Sequence, residues 1–152
     1  MMNTIPLFRP SIWPRLAVAV VTLCALAFAA TATFAGECPA DKRVADGKGQ
    51  PPGPTKPQGV TDTVRASTDV AKPPFNIKGR LFRLRELVMQ PGAIVPWHSH
   101  NDRPAMIYIV SGEVVEYASS CAVPIVHKAG DVAPETAGTS HWWKNTGATP
   151  AV

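Results

Sequence analysis

Gly92-Ala93-Ile94-Val95-Pro96-Trp97-His98-Ser99-His100 is the stretch on which the reading of this chain turns. Side chains on an extended strand alternate between its faces, so two histidines separated by one residue point the same way. Each can offer an imidazole nitrogen to one metal ion. A third histidine, His141, lies in Gly138-Thr139-Ser140-His141-Trp142-Trp143-Lys144-Asn145. A paired histidine plus a distant one is a common way to build an open site on a β scaffold. Three protein ligands leave the rest of the coordination sphere to water or substrate.

Around this stretch the chain reads as short strands. Arg80 to Met89 mixes alternation with an apolar end and predicts a strand, with Gln90-Pro91-Gly92 as a turn. Ala93 to Trp97 is a short strand running into the histidine pair, and Asn101 to Pro104 is a loop. Ala105 to Val110 is a strongly apolar strand. Ser111-Gly112 reads as a hairpin turn into Glu113–Ala118, where Glu is expected outward and Val and Tyr inward. Ile125–His127, Asp131–Ala133 and His141–Lys144 complete the run. No helical periodicity of useful length follows residue 79. Closely spaced strands of this kind indicate a sandwich or barrel.

These residues resemble the cupin superfamily, small β-barrels of jelly-roll (double-stranded β-helix) type, and among them the small single-domain members. The first cupin signature is a glycine, five residues, His-x-His, three or four residues, a glutamate, six residues and a glycine. Gly92, His98, His100 and Gly112 fit it, while the glutamate position falls on Ala105. The second is a glycine, five residues, Pro-x-Gly, two residues, a histidine, three residues and an asparagine. Gly130, Gly138, His141 and Asn145 fit that spacing, with Thr136 in place of the proline. The resemblance covers residues 79–150 and implies an all-β cupin barrel.

In the family three histidines and the glutamate hold one divalent metal ion. The resemblance therefore implies a site of His98, His100 and His141 alone, for Fe, Mn, Cu, Ni or Zn, because Ala105 cannot ligate. Without the carboxylate such a site is more positive and favours an anionic substrate or a bound hydroxide. Asp102 could supply an oxygen but reads better as a loop carboxylate. Glu113 and Glu135 are weaker candidates, since nothing in the spacing aims them inward. Trp97, Met106, Tyr108, Trp142 and Trp143 are expected to shape the pocket. Trp143 shares the His141 side and Trp142 faces away as an ordinary packing aromatic. Arg103, Tyr108 and Trp143 are the substrate-binding candidates; Arg103 either receives a carboxylate or is a plain loop arginine. His127 reads as an ordinary strand histidine.

The rest of the chain delivers or wraps this segment. The whole is 152 residues with 45% hydrophobic and 17% charged residues, one small domain at most, and its 16 prolines and 11 glycines argue for turns and short strands. Residues 1–35 have the layout of a secretory leader: Arg9 and Arg15, an apolar run from Leu16 to Ala30, then small residues ending at Ala35. Cleavage after Ala35 reads best, with Ala32 as the alternative. An uncleaved anchor is disfavoured by the short apolar run, and a lipoprotein by Glu37 before Cys38. The mature chain is expected in the periplasm or outside the cell, with no membrane segment left. Without Arg9 and Arg15 the formal charge of +4 becomes +2. No aromatic-studded basic stripe accompanies the cluster Lys78, Arg80, Arg83 and Arg85, so nucleic acid is not an expected partner.

Cys24 falls in the leader, leaving Cys38 and Cys121. In an oxidising compartment they could pair; two independent thiols, or Cys121 as a soft metal ligand, are the other readings. Residues 36–78 read as a Pro/Gly-rich, largely solvated arm with at most a peripheral strand over Thr61–Val70, and residues 79–152 as the barrel. Its last strand would begin where the sequence given stops, so the reading favours a barrel lacking that strand over a second subunit, in a homodimer, covering the edge. Two functions compete. One is an exported metalloenzyme, a dioxygenase-type oxidoreductase. The other is a non-catalytic cupin that binds a small ligand at a degenerate metal site, which Ala105 and the lack of an obvious general base favour.

Overall fold

Runs rich in Val, Ile, Thr and aromatic residues, punctuated by Gly and Pro, favour pleated strands over helices. The computed structural model describes residues 36–152. The leader read over residues 1–35, with Cys24, lies outside the described residues. Among the described residues the one helical segment is a 3-10 turn at Ala40–Lys42. The strands are β1 (Gln58–Asp69), β2 (Leu81–Ser99), β3 (Ala105–Tyr108), β4 (Glu113–Ala118), β5 (Ile125–Lys128), β6 (Val132–Glu135) and β7 (Ser140–Lys144). Five form one sheet in the order β1-β2-β7-β4-β5, and β3 pairs with β6 in a second. Every strand pairing is antiparallel. This is the all-β jelly roll expected from the sequence.

Three local expectations are corrected. Gln90-Pro91-Gly92 is no turn: β2 runs through it as one strand of 19 residues. Its pairing with β1 slips between Gln58↔Ile94 and Val60↔Met89, which is a bulge. Gly92 takes a φ of +78° there, and Pro91 brings no amide to the ladder, both at home in a bulge. The bulge bends β2 from β1 toward β7, with which its second half pairs. Ser111-Gly112 is a crossing between sheets rather than a hairpin, because β3 pairs with β6 and β4 with β5 and β7. Gly112 is needed there: a Cβ would stand 2.8 Å from the Cα of Ala151. On β4, Glu116 is buried and Tyr117 is the outward residue. Apolar residues on both faces of β4 hide which face is inner.

The core is small and unusually polar. Met89, Ala93, Ile109, Val114, Ala133, Trp143 and Ala151 form its apolar cluster. The largest wholly buried side chains, however, are His127, His141, Asn145, Cys121 and Ser119. Buried polar groups are tolerated when bonded, and Asn145 shows how: its amide donates to Met89 O and Thr149 O, each at 2.8 Å, and its oxygen accepts from Gly147 N. Ala151 pairs with Met89, and Val110 N donates to Val152 O at 2.7 Å.

The arm is exposed in its side chains but not free in its backbone. Cys38 and Cys121 form a disulfide with Cα atoms 5.8 Å apart. Val44 N donates to Ser120 O, Gly49 N to Ser119 O, Gln50 N to Ala118 O and Trp97 N to Pro54 O. The strand foreseen near Thr61–Val70 is longer, and pairs with β2 along most of its length.

Candidate metal centre

His98 lies near the end of β2, directly opposite His141 on β7. His100 follows just past the strand end, on the same side as His98 because the spacing is two. Glu135 ends β6, where Ala133 and Glu135 are buried and Val132 and Pro134 exposed. The centre therefore draws on both sheets. One ligand atom from each of His98, His100, His141 and Glu135 lies within 4.8 Å of all the others. His100, His141 and Glu135 are buried and His98 half-buried.

Glu135 corrects the sequence reading, which gave it no inward aim. Its Cα partner across the β3–β6 ladder is Ala105, the position where the family motif carries its glutamate. The short alanine leaves space, and the carboxylate arrives from the opposing residue. The alternation of Ala133 and Glu135 was the available signal. The register that sets Glu135 against Ala105 is a long-range property with no local mark.

The hydrogen bonds decide what this cluster can hold. His98 Nδ1 bonds Pro96 O at 2.8 Å, His100 Nδ1 bonds Arg103 O at 2.8 Å, and His141 Nδ1 bonds a Glu116 oxygen at 2.6 Å. Carbonyl and carboxylate oxygens only accept, so each Nδ1 carries a proton, and a ring with that proton alone turns a bare Nε2 lone pair inward. His98 Nε2 lies 3.0 Å from that of His100 and 3.2 Å from that of His141. Glu135 adds oxygens 2.8 Å from His100 Nε2 and 3.3 Å from His141 Nε2, and its Oε1 has no hydrogen-bond donor. Three imidazole nitrogens and a carboxyl group facing one another suit a cation. Nitrogens held about 2.1 Å from one ion at right angles stand about 3.0 Å apart, which these spacings match. The group can hold a divalent metal ion.

Burial shapes the charges in the protein without an ion. Desolvation holds His98 down at about 4, against the backbone bond to Pro96 that raises it, and lowers His100 too. Desolvation pushes the Glu135 carboxyl up to about 7. Glu116 moves the other way: burial alone would raise it, but hydrogen bonds with His127 and His141 bring it to about 2. Its second oxygen meets His127 Nε2 at 2.9 Å. Glu116 is thus a buried anion that orients His141 from behind, the kind of partner that fixes ring and tautomer in metal sites. His127, read as an ordinary strand histidine, is wholly buried in this network. Glu116 was missed because it was assigned to the outer face.

The other candidates divide. Arg103 is exposed; its backbone oxygen accepts from His100 Nδ1, and no contact of its guanidinium with the four residues is seen. Tyr108 does not line the pocket: it is 59% exposed, on the outer face of β3 with Met106. β3 turns Ala105 and Ile107 inward, which leaves the even positions outside. Trp143 shares the His141 side, but it packs in the core against His127 and His141. Trp142 faces away and stacks on Tyr117, ring centroids 4.0 Å apart. Trp97 also faces out, into a cleft of about 460 Å³ between the arm and the sheet, with Asp46, Gln50, Ser119 and Ser140. Asp102 is a surface carboxylate within 4.0 Å of Arg80, and Glu113 lies 3.6 Å from Lys128. The disulfide takes Cys121 out of any ligand set.

Residues 85–152 match the family model described as "Cupin domain". A protein of Thermotoga maritima named "Oxalate-binding protein" is 39% identical over 80 residues, covering 53% of this chain. The chain spans 63% of that relative's length. The crystal structure of a predicted oxalate decarboxylase from Thermotoga maritima superposes with a TM-score of 0.50 at 25% identity, covering 76% of this chain and 91% of that one.

Proposed function

We propose that this chain is a cupin, as the match of residues 85–152 to the cupin domain supports, and from that premise that it is an exported protein that binds a small carboxylate anion, of the oxalate class, at a metal centre. The observation that carries the reading is the convergence of three imidazole nitrogens and the Glu135 carboxyl group on one point. His98, His100, His141 and Glu135 would hold one divalent ion, from among Fe, Mn, Cu, Ni and Zn. Bound there, the ion supplies positive charge and Lewis acidity to a carboxylate oxygen. With three neutral rings and one carboxylate the loaded site keeps a net positive charge, and Arg103 adds a guanidinium suited to a second carboxylate. Similarity to a protein named for oxalate binding supports the ligand class. The leader layout and two remaining cysteines that pair support export to the periplasm or beyond. A homodimer is supported by the apolar residues left exposed, among them Phe82, Leu84 and Met106.

A catalytic reading, a dioxygenase-type oxidoreductase acting on the same anion, would use the coordination positions that the three histidines and Glu135 leave open on the ion. Elemental analysis of the protein purified from residue 36 onward, beside a His98→Ala/His141→Ala control, tests the centre. Near-stoichiometric metal lost in the control is expected. Calorimetric titration with oxalate should then show binding only to the metal-loaded form, and oxalate that binds equally without metal would overturn the reading. Oxygen uptake on adding the anion distinguishes turnover from binding.

A further inference from the structure

The row of buried polar groups behind His141 ends on an atom with no partner. His127 Nε2 is hydrogen-bonded to the Glu116 carboxylate. A carboxylate accepts, so Nε2 carries a proton, and in the tautomer with that one ring proton Nδ1 is a bare acceptor. His127 is wholly buried and its Nδ1 has no hydrogen-bond partner. Buried acceptors of this kind are seldom left unmet.

What lies against it is Gly36, the residue just past the expected leader cleavage site. A Cβ placed on Gly36 would stand 3.1 Å from His127 Nδ1, and 3.0 and 3.2 Å from the Cβ and Cγ of Asp131. Its φ is +91°, a backbone that favours glycine, and a Cβ there would press on both neighbours. Asp131 Oδ2 accepts from Lys128 N at 2.7 Å, which leaves the carboxylate with unused lone pairs. Gly36 thus sits between an acceptor that needs a donor and an anion. An internal amide offers one neutral N–H. A terminal ammonium offers three donors and a positive charge, which suits both neighbours.

We infer that this is the seat of the mature N-terminus. Hydrolysis of the Ala35–Gly36 peptide bond by a leader peptidase consumes one water. It leaves a carboxylate on Ala35 and an amine on Gly36 that takes up a proton. The ammonium donates to His127 Nδ1 and pairs with Asp131. Processing thereby completes the row that runs through His127 and Glu116 to His141. The inference rests on the export reading, and on cleavage after Ala35 rather than Ala32.

The test compares two purified proteins, one beginning at Gly36 and one with Ala35 kept in front of it. The chain beginning at Gly36 should melt higher by roughly 5 °C. Asp131→Asn should lower its midpoint while barely moving that of the extended chain. Amine labelling at neutral pH adds a readout that packing alone does not move. A free terminal amine, with a pKa of about 8, labels ahead of lysines, whereas the Gly36 amine should label behind them and catch up in Asp131→Asn. Equal midpoints for the two chains, or an equal cost of Asp131→Asn in both, would overturn the inference. Intact mass of the protein recovered from exporting cells separates the two levels. A mass starting at Gly36 supports both; one starting at Thr33 sinks the inference and leaves export standing; one retaining the leader sinks both.

Discussion

Glu135 and His98 oppose each other in the balance of protons that sets the stability of the metal-free fold. His98 is lowered from 6.5 to about 4, so across that window the unfolded chain binds the extra proton and stability rises with pH. Glu135 is raised from 4.5 to about 7, so there the folded chain binds the extra proton and stability falls as pH rises. The two shifts are of similar size and overlap from pH 4.5 to 6.5, where their slopes offset one another, while the lowering of His100 adds a further rise of stability with pH. Glu116, lowered from 4.5 to about 2, adds stability that is lost only below 4.5. Urea unfolding in the presence of a chelator should accordingly show a midpoint that rises only gently with pH across the overlap. Glu135→Gln removes the opposing side of the balance, so its midpoint should drop more steeply than the parent's as pH falls from 6.5. A variant whose profile is no steeper than the parent's would show that Glu135 does not take up that proton. Metal binding follows the same groups: an ion must displace the proton of Glu135, so affinity should weaken as pH falls below about 7.

The ladder between β3 and β6 is the element that moves a ligand from one strand to its neighbour. Ala105 and Glu135 face each other directly, and opposed residues on one face have Cβ atoms only about 5 Å apart. A glutamate on either strand can reach the same place. Glu135→Ala should weaken zinc or cobalt binding by roughly tenfold or more. Adding Ala105→Glu to that variant should recover most of the loss, as read by competition with a chelating dye. A double variant as weak as the single one would show that position 105 does not face the centre. The same element marks how far the sequence could be read. His98, His100 and His141 were visible because a period of two and two spaced motifs are local facts. Glu135 was not, because its partner on β3 lies thirty positions away and nothing nearby encodes the pairing. Glu116 was hidden by β4 carrying apolar residues on both faces, where alternation names no inside. Gln90-Pro91-Gly92 misled for a third reason: a turn and a bulge ask for the same residues, and only the partners β1 and β7 decide between them.

At the scale of the whole molecule, a barrel with a small polar interior is held partly from outside. The disulfide joins residues 83 positions apart and fixes the start of the arm to the loop after β4. From there the backbone of Lys42 to Gln50 bonds along Ala118–Ala122. Further on, Gly53 lies flat against Trp142, so close that a Cβ would come within 2.5 Å of the ring. Tyr117 covers the other face of that ring. These contacts lie on the outer face of the five-stranded sheet, whereas the histidine cluster lies between the sheets. Opening the disulfide frees a loop of this length in the unfolded chain and should cost about 2–4 kcal/mol of stability. Denaturant titration with and without a reductant measures it. If the arm lifts once the disulfide is open, Trp142 loses Gly53 and gains water, so tryptophan emission should shift to the red before the fold is lost. Metal affinity should hardly change, because no ligand and no hydrogen bond to a ligand runs through the arm from Lys42 to Gln50. A reduced protein that loses its metal together with its arm would mean that the outer strap also holds β2 and β7 at the distance the three histidines require.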